Sequence, residues 1–564
     1  MRQFVIFYIL LSCWAYALPA GVENAVNKSG IPKEDISIYI KEAGNSSNKV
    51  VSLNENQTRT PASVIKVLTT YAAILKLGFD YRWPTKFYTT GSLNGGVLQG
   101  DLVIKGLGDP TLSTKDLESI VRDISMYGIH RIKGNIIIDR SYFKVGTKDS
   151  SGFDEHPYSP YNAMPDAMMF NERVSTICVT PNKNSVTKKT VDHSYKVLNK
   201  LQQVNKPCRG RYSWPGIKID KSQIMPIVLL QGKISKRCGK RNICKVVTKP
   251  YRSFYYALRD KLKEKGIEIE GSLRLQKVPS SAKKLFTHYA RPLEEIISKT
   301  AKKSNNLYAR HLLLFLGAKQ YGAPATLDKG RRAVEYILRS KGALGFGALK
   351  IDNGCGLSRS AKITAKLLAE MYDNAYATYG QRWMNTLSIA GVDGTIKKRF
   401  RGTVVKNRAW MKTGTLKRVK NIGGYVKSKF GKLYTVVILV NTKKGNWRAS
   451  QLQNDIIKWL VNYKSTAFQH LNKRDGLWNI ETKHPSVYET SSLQKYYIQA
   501  GSFTDIPSKQ YLQRIEHLGL RYKVRYSDKH KVLIGAYSDE RKAREALKKV
   551  RAHISSGAFL IKEY

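Results

Sequence analysis

The sequence predicts a mixed α/β and α+β multidomain chain. Its 564 residues suggest about three to four domains at ordinary domain lengths. Helical apolar periodicity at Val64–Leu75 and Leu307–Phe315 sits beside alternating strand patterns at Ile36–Lys41 and Lys432–Val440. The stretch from about 85 to 284 mixes strands and loops with no strong period. From about residue 494 the order becomes strand, helix, strand, strand, helix, strand. With 42% hydrophobic and 25% charged residues, the composition is that of folded domains rather than disorder.

Taken in order, Arg2 precedes an uncharged, mostly apolar run from Phe4 to Leu18 that contains Ala15-Tyr16-Ala17 and is followed by Ala20. This pattern predicts a signal peptide over residues 1–20, cut after Ala17 or Ala20, and too short to span a bilayer comfortably. Cys13 falls inside the apolar run rather than after it, which argues against a lipid anchor. No later segment is long and apolar enough for a second span, so membrane association is peripheral at most. Export permits disulfides. Cys208, Cys238 and Cys244 lie close enough in sequence to supply one bridge, whose pairing stays open. They lack C-x-x-C spacing, which argues against zinc.

Ile36–Lys41 and Val50–Leu53 read as a hairpin leading into a helix that starts at Pro61. Lys86–Thr90 and Gly100–Ile104 read as a second hairpin around Asn94-Gly95-Gly96. A helix over Asp116–Tyr127 and a strand over Asn135–Asp139 follow, within an inserted α+β region spanning 85–284. The helical signal returns at Pro292, and a second helix runs from Leu307. Ile351–Arg359 is Gly-rich, and Gly391–Thr395 marks a turn. Trp410–Leu416 precedes two strands, Gly423–Val426 and Lys432–Val440, and a helix over Leu452–Tyr463 closes this part. The main domain is therefore discontinuous, 21–84 with 285–463. Residues 464–493 read as a linker.

The charge balance is extreme: 97 Lys and Arg against 42 Asp and Glu, a net charge of +55. Such a surface attracts anions, whether nucleic acid, an acidic leaflet or an acidic wall polymer. Export argues against nucleic acid. The strand order of the tail is shared with RNA-recognition folds, but their aromatic RNA-binding signature is missing.

Three short motifs carry the chemistry: Ser63-x-x-Lys66, Ser304-x-Asn306 and Lys412-Thr413-Gly414. On a helix Lys66 shares a face with Ser63 and can reach its hydroxyl, and the helix start places positive potential beside it. Alone this spacing means little, since it recurs at Ser185/Lys188 and Ser492/Lys495. In this order, at two helix starts and a strand, the three form the active-serine set of penicillin-binding proteins and β-lactamases. A serine hydroxyl needs a base to take its proton. A lysine serves only when neutral, and burial with a second cation nearby lowers its pKa. Lys412 is expected to be that cation. Ser304 is expected to relay a proton to the leaving amine, and Asn306 to hold the Lys66 amine and the substrate amide. Lys412 and Thr413 suit a terminal carboxylate, and the N–H groups of Ser63 and Thr415 suit an oxyanion hole.

Residues 30–463 resemble a class C penicillin-binding protein of the D-Ala-D-Ala carboxypeptidase/endopeptidase type. The resemblance rests on the three motifs and on Gly108-Asp109-Pro110-Thr111-Leu112, Gly356-Leu357-Ser358-Arg359, Gly391-Val392-Asp393-Gly394-Thr395 and Lys412-Thr413-Gly414-Thr415-Leu416. The long stretch between Ser63 and Ser304 matches this family's inserted domains. Asn353 and Cys355 stand where the family often has Asp and Ser, and Leu107 where Gly is common. The resemblance implies a transpeptidase-like, β-lactamase-like αβα sandwich with an inserted α+β region. It implies acyl transfer on peptidoglycan stem peptides through Ser63, inhibition by β-lactams, no metal or cofactor, and a possible contact by Asp109.

The tail, 494–564, resembles a SPOR (sporulation-related) domain through Tyr497-Ile498-Gln499-Ala500-Gly501-Ser502-Phe503 and Val532-Leu533-Ile534-Gly535-Ala536-Tyr537, with Ala536 in place of a frequent Pro. That resemblance implies binding of glycan strands stripped of stem peptides, with Tyr497, Gln499 and Tyr537 as sheet-surface contacts. Together the expectation is an exported, periplasmic, wall-associated serine DD-peptidase enriched at the division septum. The rival reading is a non-catalytic wall-binding protein on a degenerate peptidase fold.

Overall fold

The run Leu433–Asn441, apolar at nearly every position, calls for a strand buried on both faces. In the computed structural model it is the third of the six strands of an antiparallel sheet. The order is Ser388–Ile389, Ala409–Leu416, Val419–Lys427, Leu433–Asn441, Ile36–Glu42, Lys49–Leu53, counting Leu433–Asn441 from the far edge. The structure describes residues 18–44, 48–146, 148–464, 495–504, 507–520, 522–526, 530–537 and 539–563. Residues 1–17 of the expected signal peptide, Cys13 among them, and residues 465–493 of the expected 464–493 linker lie outside these.

Alternation sends Val437 and Leu439 to one face, with Tyr425, and Val436, Ile438 and Val440 to the other. The first face packs on the helices Lys66–Leu77, Leu293–Lys302, Asn306–Tyr321, Leu327–Ser340 and Ala365–Met384. The second packs on Ala20–Ser29 and Asn446–Asn462. Each of the five strand residues is fully buried, a contribution of roughly 1.5–3 kcal/mol per side chain over exposure. The result is an αβα sandwich.

Beyond the first long helix, strand Arg82–Thr89 pairs with Lys283–Pro292, so the intervening chain leaves and returns at one place. These two join Leu102–Gly106, Ile136–Asp139 and Leu273–Leu275 in a five-stranded sheet. Helices Leu117–Met126 and Pro250–Glu264 share a core with that sheet. Two three-stranded sheets built from residues 175–245 form a smaller core around Ile177, Val228 and Leu230. There the open cysteine pairing resolves: Cys208 bonds Cys238, while Cys178, Cys244 and Cys355 are free.

Several elements differ from the sequence reading. Helices Pro250–Glu264, Leu327–Ser340 and Ala365–Met384 were not foreseen. The first carries an i, i+4, i+8 apolar row, Phe254, Leu258, Leu262, behind a proline at its first position. The third bends at Gly380, whose φ is +51°, which breaks its periodicity. The Ser63 helix does not begin at Pro61. Ala62 has φ +49°, a 3₁₀ turn spans Ala62–Ile65, and the α-helix starts at Lys66.

The chain divides into two units, before and after residue 469. The second is a four-stranded antiparallel sheet, ordered Tyr522–Tyr526, His530–Tyr537, Lys495–Phe503, Phe559–Glu563, with helices Lys509–His517 and Glu540–His553. Its βαββαβ order follows the sequence pattern. Among the described residues no helix is long and apolar enough to cross a membrane.

Candidate active site

The turn that carries Ser63 is gripped from two sides. Asn421, buried in the sheet, donates to the carbonyls of Thr60 and Pro61 at 2.9 Å each, and Asn441 accepts from the Thr60 N–H at 2.8 Å. Gly414 and Gly356 press against the same turn. A Cβ on Gly414 would lie 3.0 Å from the Ser63 nitrogen, and one on Gly356 would lie 1.9 Å from the Ala62 oxygen. Gly356 also has φ +76°, so glycine is required there twice over.

Behind the turn, the fully buried Lys66 amine lies 2.7 Å from the Ser63 hydroxyl and 2.7 Å from Asn306 Oδ1, and it donates to the Cys355 carbonyl. The Asn306 amide is oriented by its Nδ2, which donates to the Tyr161 carbonyl at 3.0 Å. Two of the three lysine partners, Asn306 Oδ1 and the Cys355 carbonyl, can only accept. A neutral amine gives its two N–H bonds to them and turns its lone pair to the Ser63 O–H. Burial pushes Lys66 down from 10.5 to about 8; Cys355 acts in the opposite sense, and the Arg310 guanidinium adds repulsion.

A second buried lysine completes the site. Lys412 donates to the Ser304 hydroxyl at 3.0 Å and to the Thr413 carbonyl at 2.8 Å. Burial, with repulsion from Lys66, holds it well below its ordinary value. The repulsion between the two lysines is mutual, and the Arg310 guanidinium is a further cation acting on Lys66 that the sequence reading did not name. Thr413 and Thr395 share a 2.9 Å hydroxyl contact. On its outer side the Lys412 strand is covered only at Trp410 and Met411, by the two-residue strand Ser388–Ile389. Among the described residues the outer edge from Lys412 to Leu416 has no strand partner, which is the geometry that accepts an extended peptide. A cavity of 1120 Å³ adjoins this region, lined among others by Asp154, Arg310, Asn353, Leu357, Arg359 and Leu416.

Comparison with protein families matches residues 18–463 to the D-Ala-D-Ala carboxypeptidase 3 (S13) family. The chain belongs to that family. A SPOR domain matches residues 492–562. The D-alanyl-D-alanine carboxypeptidase DacB of Haemophilus influenzae is 25% identical to this S13 peptidase over 421 residues, 72% of this chain and 85% of that one. A D-alanyl-D-alanine carboxypeptidase of Actinomadura is 27% identical over 391 residues, 66% of this chain and 72% of that one. The fold is that of penicillin binding protein 4 from Haemophilus influenzae. Its crystal structure superposes with a TM-score of 0.67 at 23% identity, covering 78% of this chain and 99% of the other. The S13 peptidase is thus a serine-type D-Ala-D-Ala carboxypeptidase by family.

In this S13 peptidase the structure brings Ser63, Lys66 and Asn306 into one hydrogen-bonded group, Ser304, Lys412 and Thr413 into another, with Gly414 against the serine turn. Asp109 is not among them. It is buried in the inserted region, where its Oδ1 accepts from the Thr111 N–H and hydroxyl at 2.7 Å each. Sequence reasoning missed Arg310, Asn421, Tyr161 and the Cys355 carbonyl. The first two had a signal, a charged residue inside an apolar helix and a polar one inside an apolar strand, both types that stay buried only with partners.

In the tail, Tyr497 and Gln499 alternate with Ile498 and Ala500, which join the helix-packed core. Tyr537 does not share the face of Tyr497 and Gln499. An extra residue in its strand at Gly535, φ +100°, shifts the register between Ile534 and Tyr537 and turns Tyr537 onto that core.

Proposed function

We propose that this S13 peptidase is exported and hydrolyses the terminal D-Ala-D-Ala bond of peptidoglycan stem peptides through a penicillin-sensitive acyl-serine intermediate. The observation that carries the reading is the buried Lys66 amine, 2.7 Å from Ser63 and pushed down to about 8. Ser63 Oγ attacks the carbonyl of the penultimate D-Ala as its proton passes to the neutral Lys66 amine. The oxyanion forms against the N–H groups of Ser63 and Thr415. Collapse breaks the peptide bond, the terminal D-Ala leaving as its amine takes a proton relayed by Lys66 and Ser304. Water then attacks the ester, returning the Ser63 hydroxyl and releasing the shortened stem as a carboxylate. The substrate lies along the open edge of the Lys412 strand, with its carboxylate at Lys412 and Thr413 favouring the charged form of that lysine.

Relatives lend support by name: a penicillin-sensitive carboxypeptidase A of Dictyostelium discoideum, 25% identical over 408 residues, and the Haemophilus influenzae fold relative in complex with a β-lactam. The same chemistry on a D-Ala crosslink, with the amine of the neighbouring stem as the leaving group, gives DD-endopeptidase activity. The SPOR match supports a reading in which the enzyme binds denuded glycan strands in the periplasm at the division septum, with Gln499 as a contact on the face opposite its helices, where Tyr497 is only 8% exposed. The test is incubation of wild type and Ser63→Ala with a D-Ala-D-Ala pentapeptide and with a DD-crosslinked dimer. Wild type is expected to release D-alanine from the first and to split the second, and Ser63→Ala to do neither. A folded wild type that releases no D-alanine contradicts the reading and favours the wall-binding rival.

A further inference from the structure

The loop holding Ser304 is strained and is not held by its own helices alone. Ser304 has φ +55° without being glycine, at the junction of helices Leu293–Lys302 and Asn306–Tyr321. Facing it, the inserted region offers a second strained segment. Asn171, Glu172 and Arg173 have φ +46°, +52° and +59°, three successive non-glycine residues in the left-handed region.

The two outer residues of that segment are pinned to the insert. Asn171 accepts from the Thr114 N–H at 3.0 Å and donates to the Thr114 hydroxyl at 3.0 Å. Arg173 is buried, donates to the Met164 carbonyl at 2.8 Å and pairs with Asp149, which Lys221 and Lys249 also hold. What this segment presents to the peptidase domain is the Glu172 carboxylate. Its Oε2 accepts from Asn305 Nδ2 at 3.0 Å; its Oε1 accepts from the Tyr308 hydroxyl at 3.1 Å and pairs with Lys299. One carboxylate thus ties the helix before the loop, the loop itself and the helix after it. Asn305 in turn caps the second helix, accepting from the Tyr308 N–H at 3.1 Å.

We infer that Glu172 is a positioning residue for the acyl-transfer site, bracing the loop that sets Ser304 against Lys412 and Asn306 against Lys66. This rests on the acyl-serine reading of those residues. Strain at a functional site persists only where the surroundings over-determine it, and the paired left-handed segments meet that condition at Glu172. The Lys412–Thr413 carboxylate site lies on the strand Ala409–Leu416 and not on the braced loop, so loss of the brace should slow chemistry and spare binding.

The test compares wild type, Glu172→Gln and Glu172→Ala by active-site titration with fluorescent penicillin, by acylation rate, and by kcat and KM on a D-Ala-D-Ala peptide. The expected result for Glu172→Ala is full titration, acylation and kcat down about tenfold, and KM within about twofold. Glu172→Gln keeps the length and one acceptor and should fall between the two. Should Glu172→Ala fail to fold, Tyr308→Phe removes one donor to the carboxylate and should slow acylation about threefold, less in a Glu172→Gln background than in wild type. Wild-type acylation in the folded variants, or losses that simply add, overturns the brace. A wild type that does not acylate overturns the acyl-serine reading and the brace with it.

Discussion

At Lys66 complete burial and two acceptor-only partners decide which protonation state the site can use. Its value of about 8 lies below that of an ordinary lysine, so the neutral fraction grows as pH rises through that point. The acid limb of kcat/KM is therefore expected near pH 8. Arg310→Met, which removes the neighbouring cation, should move that limb upward and lower the rate at pH 7; an unmoved limb contradicts the assignment of Arg310. Asp109 shows the opposite electrostatics. Burial raises it from 3.8 to about 6 against the bonds from Thr111. The native state then holds a proton that the unfolded chain releases, so this group's contribution to stability is full below pH 4 and is lost as pH rises through 6, by at most about 3 kcal/mol. Asp109→Asn has no proton to lose, and its Tm should fall less than that of wild type between pH 4 and 7 in thermal melts.

At the scale of elements, the serine turn is held by what presses on it. Gly356→Ala would drive a Cβ into the Ala62 carbonyl and displace Ser63, with an expected loss of about a hundredfold or more in penicillin acylation. Gly431→Ala is the control. It also has positive φ, +87°, but meets no neighbour; it should cost about 1 kcal/mol in stability and leave acylation unchanged. Equal effects on acylation would show that backbone conformation, not contact, governs the turn. The sequence disclosed Ser63, Lys66, Ser304, Asn306 and Lys412 because the chemistry demands particular side chains at fixed spacing. It could not disclose the Cys355 carbonyl, a group every residue carries, nor Glu172, whose reach depends on three left-handed residues. The long helices after Phe315 were hidden by polar faces and by the bend at Gly380. The bulge that turns Tyr537 inward had a visible cue in Gly535, a glycine inside a strand pattern.

For the whole molecule, the division at residue 469 predicts that catalysis and wall binding separate. A chain ending at residue 464 should acylate with penicillin at the wild-type rate and fail to sediment with insoluble peptidoglycan depleted of stem peptides. Sedimentation that persists would assign wall binding to the peptidase unit, where the excess of Lys and Arg over Asp and Glu offers an alternative means. The αβα sandwich was expected from the resemblance that the three motifs carry, and the apolar run at Leu433–Asn441 agrees with it as a strand buried on both faces. The two modules inside the insertion were not foreseen, since their short strands leave little periodicity to read.

The central claim is that Ser63 is the nucleophile. The direct measurement is mass spectrometry of the penicillin-treated protein, intact and after proteolysis. One added penicillin per chain is expected, located on the peptide that contains Ser63 and absent from Ser63→Ala. An adduct on any other residue, or a folded wild type that gains no mass, would contradict it.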